Sequence, residues 1–369
     1  MTGDRLLIAR LARSLTDLPY ETWNFGDSVA FEALLAASEV LGDERWAAFA
    51  HGWSRAWATR AQPYRRLDCT APGWAMVHLA ERAGDDTLLT AAVELAEYLI
   101  SRPRLLGVYE TWERSPLMHP YGPADLDDAG AAMVADPPPG VFLDCLHFDP
   151  PFFAAVSRAS GEARFADEAV EQALGYITGL QRPDGLFQHF LLKGQPGTFG
   201  PGWGRGQGWA LLGMLDVLDE FDAMPGVLRE PRTAALEQIA AAVSALVAGM
   251  LDLQRPDGHW YAVVDDEHSG NEFSTAAFMA AGFLRALGRG AVQPGTERSV
   301  ERAARSAVEA VRRGILEDGT LAEVSAAVMA CTEASHYAHV PRGYRVPWGQ
   351  GPALLALVGL ETWERRSRP

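Results

Sequence analysis

The sequence predicts an all-α protein in the form of an (α/α)6 barrel, with six inner helices surrounded by six outer helices. Three observations lead to this prediction. Apolar residues recur at helical spacing over twelve stretches while alternating patterns are scarce, the helices differ in character in pairs, and one hexapeptide occurs twice. We expect one domain over residues 1–369. The predicted helices cover about residues 4–16, 27–41, 43–61, 71–84, 86–102, 141–160, 162–181, 204–222, 229–254, 272–289, 295–315 and 347–366.

One helix of each pair is small and apolar and opens with Gly, aromatic, Asp or Asn residues, as at 71–76 and 208–213. Its partner is longer and amphipathic, as at 162–181. The alternative is an α-solenoid, which stacks helix pairs without closing. Solenoid repeats usually run over about 34–47 residues. The inner helices here start near 26, 71, 144, 203, 271 and 347. The spacing between these starts is longer and less regular than a solenoid repeat, so a barrel is favoured.

The repeated hexapeptide is Leu-Gln-Arg-Pro-Asp-Gly, at residues 180–185 and 253–258. Each copy follows a predicted outer helix and precedes aromatic residues. Pro-Asp-Gly favours a tight turn. Each copy is therefore expected to end an outer helix and begin a short hairpin that leads to the next inner helix.

Composition limits the range of functions. The formal charge of −16 and the pI near 5.0 argue against a nucleic-acid or anionic membrane partner. Three cysteines form neither a disulfide framework nor a metal spacing. We find no signal-type segment and no apolar run of the roughly 18 residues that a membrane span needs. We therefore expect a cytoplasmic protein without a metal or other cofactor, and Lys193, the only lysine, is the one candidate for a Schiff base.

The tripeptide Leu-Asp-Cys also occurs twice, at 67–69 and 143–145, each time at the head of an apolar helical stretch. In a barrel the starts of the inner helices meet around one mouth. Asp68 and Asp144 would then form a carboxylate pair suited to acid/base chemistry. The alternative is that both are ordinary helix N-caps, a position that Asp favours.

Other polar and aromatic residues open the remaining inner helices or precede them, and together they resemble a sugar site, in which aromatic faces stack on pyranose rings. They are Trp23, His189, Trp203, Arg205, Trp209 and Gln350. Three glycines, at 204, 206 and 208, would let the backbone approach a ligand closely. The alternatives are that the two later tryptophans are core, that the arginine lies in a surface turn, and that the histidine is satisfied within a strand. The acidic segment 125–128 lacks the EF-hand pattern and is read as a solvated loop.

These segments resemble a known family, the unsaturated glucuronyl and rhamnogalacturonyl hydrolases of glycoside hydrolase families 88 and 105. The similar segments are 67–75, 101–104, 142–153, 185–189, 203–209, 215–218, 272–275 and 348–351. They keep the order and approximate spacing of the family over about residues 20–360. The motif at 203–209, Trp-Gly-Arg-Gly-Gln-Gly-Trp, is the most specific of them.

The resemblance implies an (α/α)6 barrel that removes a Δ4,5-unsaturated uronic acid from the non-reducing end of oligosaccharides made by lyases. The implied reaction is hydration of the vinyl ether. An acid protonates C4, water adds at C5, and the hemiketal rearranges so that the glycosidic bond breaks. Asp144 would be the general acid/base and Asp68 its partner. His189 and Arg205 would hold the substrate, a small acidic oligosaccharide, while Trp203 and Trp209 would shape the platform for the sugar.

The chain departs from the family pattern after the second aspartate, where His147, Asp149 and the pair Pro150-Pro151 intervene. Two prolines would kink or break the helix after its first turn. The long acidic loop from Leu105 to Gly140 is expected to be a lid or an oligomer contact, the latter giving a homodimer.

Two other functions stay open from the residues alone. One is a sugar epimerase that uses His189 with His259 or His336. The other is a non-catalytic carbohydrate-binding protein.

Overall fold

Six helices form a closed ring in the computed structural model, which describes residues 3–20, 25–60 and 72–366. The inner helices are α2 (Phe25–Leu41), α4 (Gly73–Ala83), α7 (Cys145–Ser160), α9 (Gly204–Ala223), α12 (Phe273–Arg289) and α14 (Pro347–Arg366). Each packs against the next, and α14 packs against both α12 and α2. The ring therefore closes, which confirms the barrel over the solenoid.

The outer helices alternate with the inner ones along the chain. They are α1 (Gly3–Thr16), α3 (Arg45–Ala58), α5 (Asp86–Ile100), α8 (Ala163–Leu180), α11 (Thr233–Asp252) and α13 (Glu297–Gly314). All twelve predicted helices are present, with ends within four residues of the predicted ones. Helix α13 illustrates why the helices could be predicted from the spacing of apolar residues. Its valines and alanines face inward, and its arginines and glutamates cover the outer face.

Several short elements were not predicted. They are α6 (Asp128–Ala135), α10 (Gly226–Arg229) and the strands β1 (Arg104–Leu105), β2 (Val108–Tyr109), β3 (Gly140–Phe142) and β4 (Phe190–Leu192). The strands form two antiparallel pairs, β1 with β2 and β3 with β4. The acidic segment 125–128 is not simply a solvated loop, because Asp127 caps α6 by accepting a hydrogen bond from the Gly130 N–H at 2.7 Å. The long 105–140 loop is thus largely built from these elements.

The double proline does not break α7, which continues from Cys145 to Ser160 through Pro150 and Pro151. Each proline removes one backbone donor, so the carbonyl groups of Leu146 and His147 lose their usual helical partners. Gly213 of α9 lies against the first of these carbonyls, where a Cβ atom would overlap the oxygen. Helices α7 and α9 therefore approach closely at the point where the sequence suggests a break.

The two hexapeptide copies fold as the predicted turns and dock on the next outer helix in the same way. Gly185 and Gly258 both have φ of +87°, a conformation that favours glycine. In the second copy, the Gln254 side chain donates to the carbonyl of Gly258 within the turn and to Ala303 of α13 at 2.9 Å. Gln181 makes the corresponding bonds to Gly185 and to α11. The repeat thus joins successive outer helices.

The expectation that no segment is long and apolar enough to span a membrane needs one correction. The helical stretch Gly226–Asp252 meets this criterion by length and composition, with a mean hydropathy of 1.7. Its main part, α11, is an outer helix that packs against α8, α9, α12 and α13.

We expect Gly258→Ala to lower the free energy of unfolding by about 3 kcal/mol, because the left-handed conformation is strained for alanine and its Cβ would overlap the Ser306 carbonyl oxygen of α13. Gly290→Ala is the matched control. Gly290 also has a positive φ, of +68°, but its Cβ would meet no atom within 4 Å, so a loss of only about 1 kcal/mol is expected. Urea unfolding measures both. Equal losses would show that the contact with α13 does not constrain the turn.

Candidate active site

The pairing of β3 with β4 brings Asp144 and His189 together. Strand β3 ends two residues before Asp144, and β4 begins directly after His189. Phe142 pairs with Phe190, and the Leu143 N–H donates to the His189 carbonyl at 2.8 Å. As a result, the His189 Nε2 atom lies 3.4 Å from the Asp144 Oδ2 atom. This short ladder is the local structure that joins the start of α7 to the segment before α9.

Asp144 stands at the N-cap position of α7, but its side chain makes no capping hydrogen bond. The carboxylate is 18% exposed, whereas the side chain of His189 is 2% exposed. Capping therefore does not explain the presence of an aspartate at this position. Its carboxylate is directed to His189 and to solvent at the mouth.

The hydrogen bonds of His189 define its tautomer. Its Nδ1 atom lies 2.6 Å from the hydroxyl of Tyr337. Burial raises the pKa of Tyr337 well above the usual range, so the hydroxyl keeps its proton and is able to donate a hydrogen bond to Nδ1. In the neutral ring the remaining proton is then on Nε2, which faces Asp144. Tyr337 was not identified from the sequence, because it lies 148 residues from His189 in the chain.

Trp203 and Arg205 pack beside this pair. The Trp203 ring centroid lies 4.4 Å from that of His189, and the side chain is 4% exposed. The guanidinium carbon of Arg205 lies 5.3 Å from the Trp203 ring centroid. Burial lowers the pKa of Arg205, and the negative charges of Glu272 and Asp144 oppose this. Arg205 therefore lies within electrostatic reach of Asp144.

Glu272 holds Arg205 in place. Its Oε1 atom accepts from Arg205 Nη1 at 3.3 Å and from the Ser325 N–H at 3.1 Å. Its Oε2 atom caps α12 by accepting from the Thr275 N–H at 3.0 Å. Arg205 also donates to the Ser325 hydroxyl at 2.6 Å and to the Ala326 carbonyl at 2.8 Å. One carboxylate thus joins α9, α12 and the 323–326 segment.

Three predicted substrate contacts are not available in this arrangement. Trp209 is completely buried among Phe25, Phe148 and Phe278, so it is a core residue, as the alternative held. Gln350 is also completely buried and bonds the backbone of the 319–321 turn. Arg205 is 1% exposed and its outer nitrogens are engaged by Glu272, Ser325 and Ala326. Their burial explains each correction, since a side chain without exposed surface cannot touch a sugar.

The three glycines at the start of α9 serve protein packing. A Cβ atom at Gly204 would meet Thr275, one at Gly206 would meet Trp203, and one at Gly208 would meet Phe278. The expectation of a close backbone approach to a ligand is therefore corrected to a close approach of neighbouring side chains.

Two predicted site residues, Trp23 and Asp68, lie outside the described residues. Their predicted roles at the mouth remain predictions.

The histidine pair required by the epimerase alternative does not form. His259 stacks on Phe273 at a centroid distance of 4.1 Å. His336 is fully buried; it accepts from the Tyr121 N–H at 3.1 Å and donates to the Met329 carbonyl at 3.0 Å. Since His189 is held between Asp144 and Tyr337, the geometry gives no support to proton exchange by two histidines.

A second polar cluster lies along the barrel axis, one helical turn beyond Asp144. His147 of α7 faces Glu32 of α2 at 3.1 Å and Asp216 of α9 at 3.5 Å, and Arg285 of α12 donates to Asp216 at 2.5 Å. Burial is the main cause that raises the pKa of Asp216 well above its usual range. The sequence left His147 as either a partner of Asp144 or a polar helix residue. No local pattern indicated that three inner helices would meet here.

Comparison with known proteins identifies relatives over nearly the whole chain. The model of Glycosyl Hydrolase Family 88 matches residues 9–363. The unsaturated rhamnogalacturonyl hydrolase YesR of Bacillus subtilis (strain 168) is 24% identical over 353 residues, which cover 93% of this chain and 91% of that protein.

Solved structures share the fold. A possible member of the GH105 family from Salmonella enterica superposes with a TM-score of 0.82 at 19% identity, over 97% of this chain and 93% of that one. The unsaturated glucuronyl hydrolase of Bacillus sp. GL1 gives a TM-score of 0.70 at 19% identity, over 99% and 98%.

We expect His336 to make stability depend on pH. Burial lowers its pKa from 6.5 to about 4, so the unfolded chain binds more protons between these values, and stability falls as the pH drops through this window. Lowering the pH from 7 to 5 should decrease the free energy of unfolding by about 2 kcal/mol through the protonation of His336 in the unfolded chain. His336→Gln, which can donate and accept at the same site without titrating, should lack this component. Urea unfolding of both proteins at the two pH values measures it, and parallel losses would contradict the assignment.

Proposed function

The chain belongs to Glycosyl Hydrolase Family 88 and is a glycoside hydrolase, and we propose that it removes a Δ4,5-unsaturated uronic acid from the non-reducing end of lyase-generated oligosaccharides. The names of its relatives, an unsaturated rhamnogalacturonyl hydrolase and an unsaturated glucuronyl hydrolase, support this substrate class. The observation that carries the proposal is the partly exposed carboxylate of Asp144, which makes no capping bond and lies beside a buried histidine.

In the proposed reaction, Asp144 donates its proton to C4 of the unsaturated sugar, and a water molecule adds to C5. The double bond is thereby hydrated, and the hemiketal at C5 rearranges so that the bond to the next sugar breaks. A carboxylic acid at the mouth supplies this proton, and the carboxylate left behind takes a proton back from water to complete the cycle. We propose Asp68 as the second carboxylate, which orients the water or a sugar hydroxyl.

His189 acts on Asp144 through its Nε2–H in this proposal. The Nε2–H group lies 3.4 Å from Oδ2, and at this distance its dipole favours the carboxylate that forms once the proton has left. Tyr337 sets this arrangement by donating to Nδ1 from the other side of the ring. The hydroxyl therefore positions the catalytic groups without touching the substrate.

Arg205 contributes a positive charge to the site without touching the substrate. Its guanidinium is buried, and its positive charge reaches Asp144 through a region of low dielectric constant. Trp203, 4% exposed, packs on His189 and is proposed as the wall of the sugar site.

We further propose that the protein works in the cytoplasm and as a homodimer. The support for the first is compositional, since the two cysteines of the described residues, Cys145 and Cys331, are unpaired thiols. The support for the second is the long 105–140 segment, which gives the surface a structured addition to the barrel.

We expect the enzyme to abolish the ultraviolet absorbance of the conjugated uronate in unsaturated disaccharides. Asp144→Asn should lower kcat by at least about 1,000-fold, because general acid catalysis contributes up to about 10,000-fold and the amide cannot supply the proton. Asp127→Asn, on the N-cap of α6, is the matched control and should keep its activity.

The assay uses rhamnogalacturonan, pectic and glycosaminoglycan disaccharides in parallel. If the folded enzyme lowers the ultraviolet absorbance of none of these disaccharides, the proposed reaction is wrong. Full activity of Asp144→Asn would remove this residue from the mechanism.

We expect Tyr337→Phe to lower kcat about fivefold with little change in KM, because one hydrogen bond to His189 is worth about 1 kcal/mol and its loss leaves the imidazole ring less firmly oriented toward Asp144. Steady-state kinetics of the wild type and the variant measure kcat and KM separately. A raised KM with an unchanged kcat would mean that Tyr337 contacts substrate or only fills space and does not position His189.

A further inference from the structure

Three ligand-type side chains converge at one point inside the barrel, away from the mouth. Glu32, His147 and Asp216 come from α2, α7 and α9, and their side chains are 9%, 3% and 5% exposed. One nitrogen or oxygen atom of each lies within 4.8 Å of the others. The site is assembled from three separate inner helices, so the tertiary fold and not a local turn creates it.

The contacts of His147 fit a neutral ring whose inner nitrogen, Nε2, carries no proton. The Ser28 hydroxyl donates to the Phe25 carbonyl at 2.9 Å, so its oxygen accepts the Nδ1–H of His147 at 3.2 Å. In the neutral ring, the Nε2 atom then carries a lone pair and no proton. It faces Glu32 Oε2 at 3.1 Å and Asp216 Oδ2 at 3.5 Å. Three atoms with lone pairs that face one another repel unless a cation or a shared proton lies among them.

The distances fit a metal ion. Ligand atoms about 2.1 Å from a tetrahedral zinc ion lie about 3.4 Å from each other. The two separations from Nε2, 3.1 Å and 3.5 Å, lie on either side of that value. Histidine nitrogens and carboxylate oxygens are both established protein ligands of zinc and similar divalent ions.

The surrounding groups orient the ligands as in known metal sites. Ser28 fixes the outer nitrogen of His147, which directs Nε2 inward. Arg285 binds Asp216 Oδ1 at 2.5 Å and Glu32 Oε1 at 3.5 Å, which leaves Oδ2 and Oε2 directed to the centre.

The site also has room and a route for an ion. A small cavity of about 10 Å³, roughly the size that one water molecule needs, is lined by Ser28, Glu32, Trp74, Ala75, His147 and Asp216. It adjoins a cavity of about 960 Å³ at the C-terminal ends of the inner helices, and Glu32, Trp74 and Asp216 line both. An ion can therefore enter from the end opposite the mouth.

We propose that Glu32, His147 and Asp216 bind one divalent transition-metal ion of the zinc type, with a water molecule as the fourth ligand. The ion joins α2, α7 and α9 inside the ring and stabilises the barrel. It takes no part in the proposed hydrolysis and does not depend on it.

The experiment uses the full chain, stripped with a chelator and dialysed. Titration with Co²⁺, followed by visible absorption, and with Zn²⁺, followed by calorimetry and thermal unfolding, should show one ion per chain and a rise in Tm. His147→Gln should weaken binding at least 100-fold. His78→Gln is the matched control: His78 also lines the large cavity, but its polar partners are Glu220 and Arg158 and none of the three proposed ligands, so this variant should bind as the wild type does.

If His147→Gln does not fold, Glu32→Gln replaces it and should show the same weakening. Failure of the wild type to bind Co²⁺ or Zn²⁺, or equal binding by the ligand variant, would overturn the proposal and leave a shared proton in that position. The uronate assay is independent of this result, because a folded protein without the ion can still be tested for hydrolysis.

Discussion

The buried ion pair between Arg205 and Glu272 is the interaction on which the arrangement of the mouth depends. Both side chains are almost completely inaccessible to water, so neither charge can be left alone. Removing one partner of such a pair typically costs about 3–5 kcal/mol, because the other charge stays buried without compensation. Since Glu272 also caps α12 and binds the 325 backbone, the pair links two inner helices to the segment that leads to Tyr337. Trp203 lies between Arg205 and His189, so the ion pair also supports one side of the His189 ring, which the β3–β4 pairing places beside Asp144.

The fold was largely predictable from the sequence, because apolar residues recur at helical spacing throughout each long helix. The position of every inner and outer helix followed from apolar spacing, and the turns followed from Pro-Asp-Gly. The β3–β4 pair was not predictable in the same way. Strands of three residues carry too little alternation to be recognised, and their partner lies about 50 residues away. Yet this pair brings Asp144 to His189, so the element with the weakest sequence signal positions the candidate site residues.

The candidate site was predictable in part. Asp144 and His189 could be named from motifs, and the structure brings them side by side. Trp209 and Gln350 could not be assigned correctly, because a polar or aromatic residue near a helix start lies on the mouth side or the core side depending on rotation of the helix. Tyr337 and the Glu32–His147–Asp216 cluster carry no local signal at all. They depend on contacts between segments that are far apart in the chain, 148 residues for Tyr337 and His189 and 115 residues for Glu32 and His147.

Closure of the ring by α14 has a consequence for synthesis of the chain. This helix packs between α12 and α2, and it follows the other five inner helices in sequence. Arg345, just before it, bonds the carbonyl of Ser14 at the end of α1. During translation, the apolar flanks of α2 and α12 therefore stay uncovered until α14 has left the ribosome. Exposed apolar surface of this kind favours aggregation and binding by chaperones. Cotranslational folding of this barrel thus ends with one late docking event that joins its earliest and latest segments.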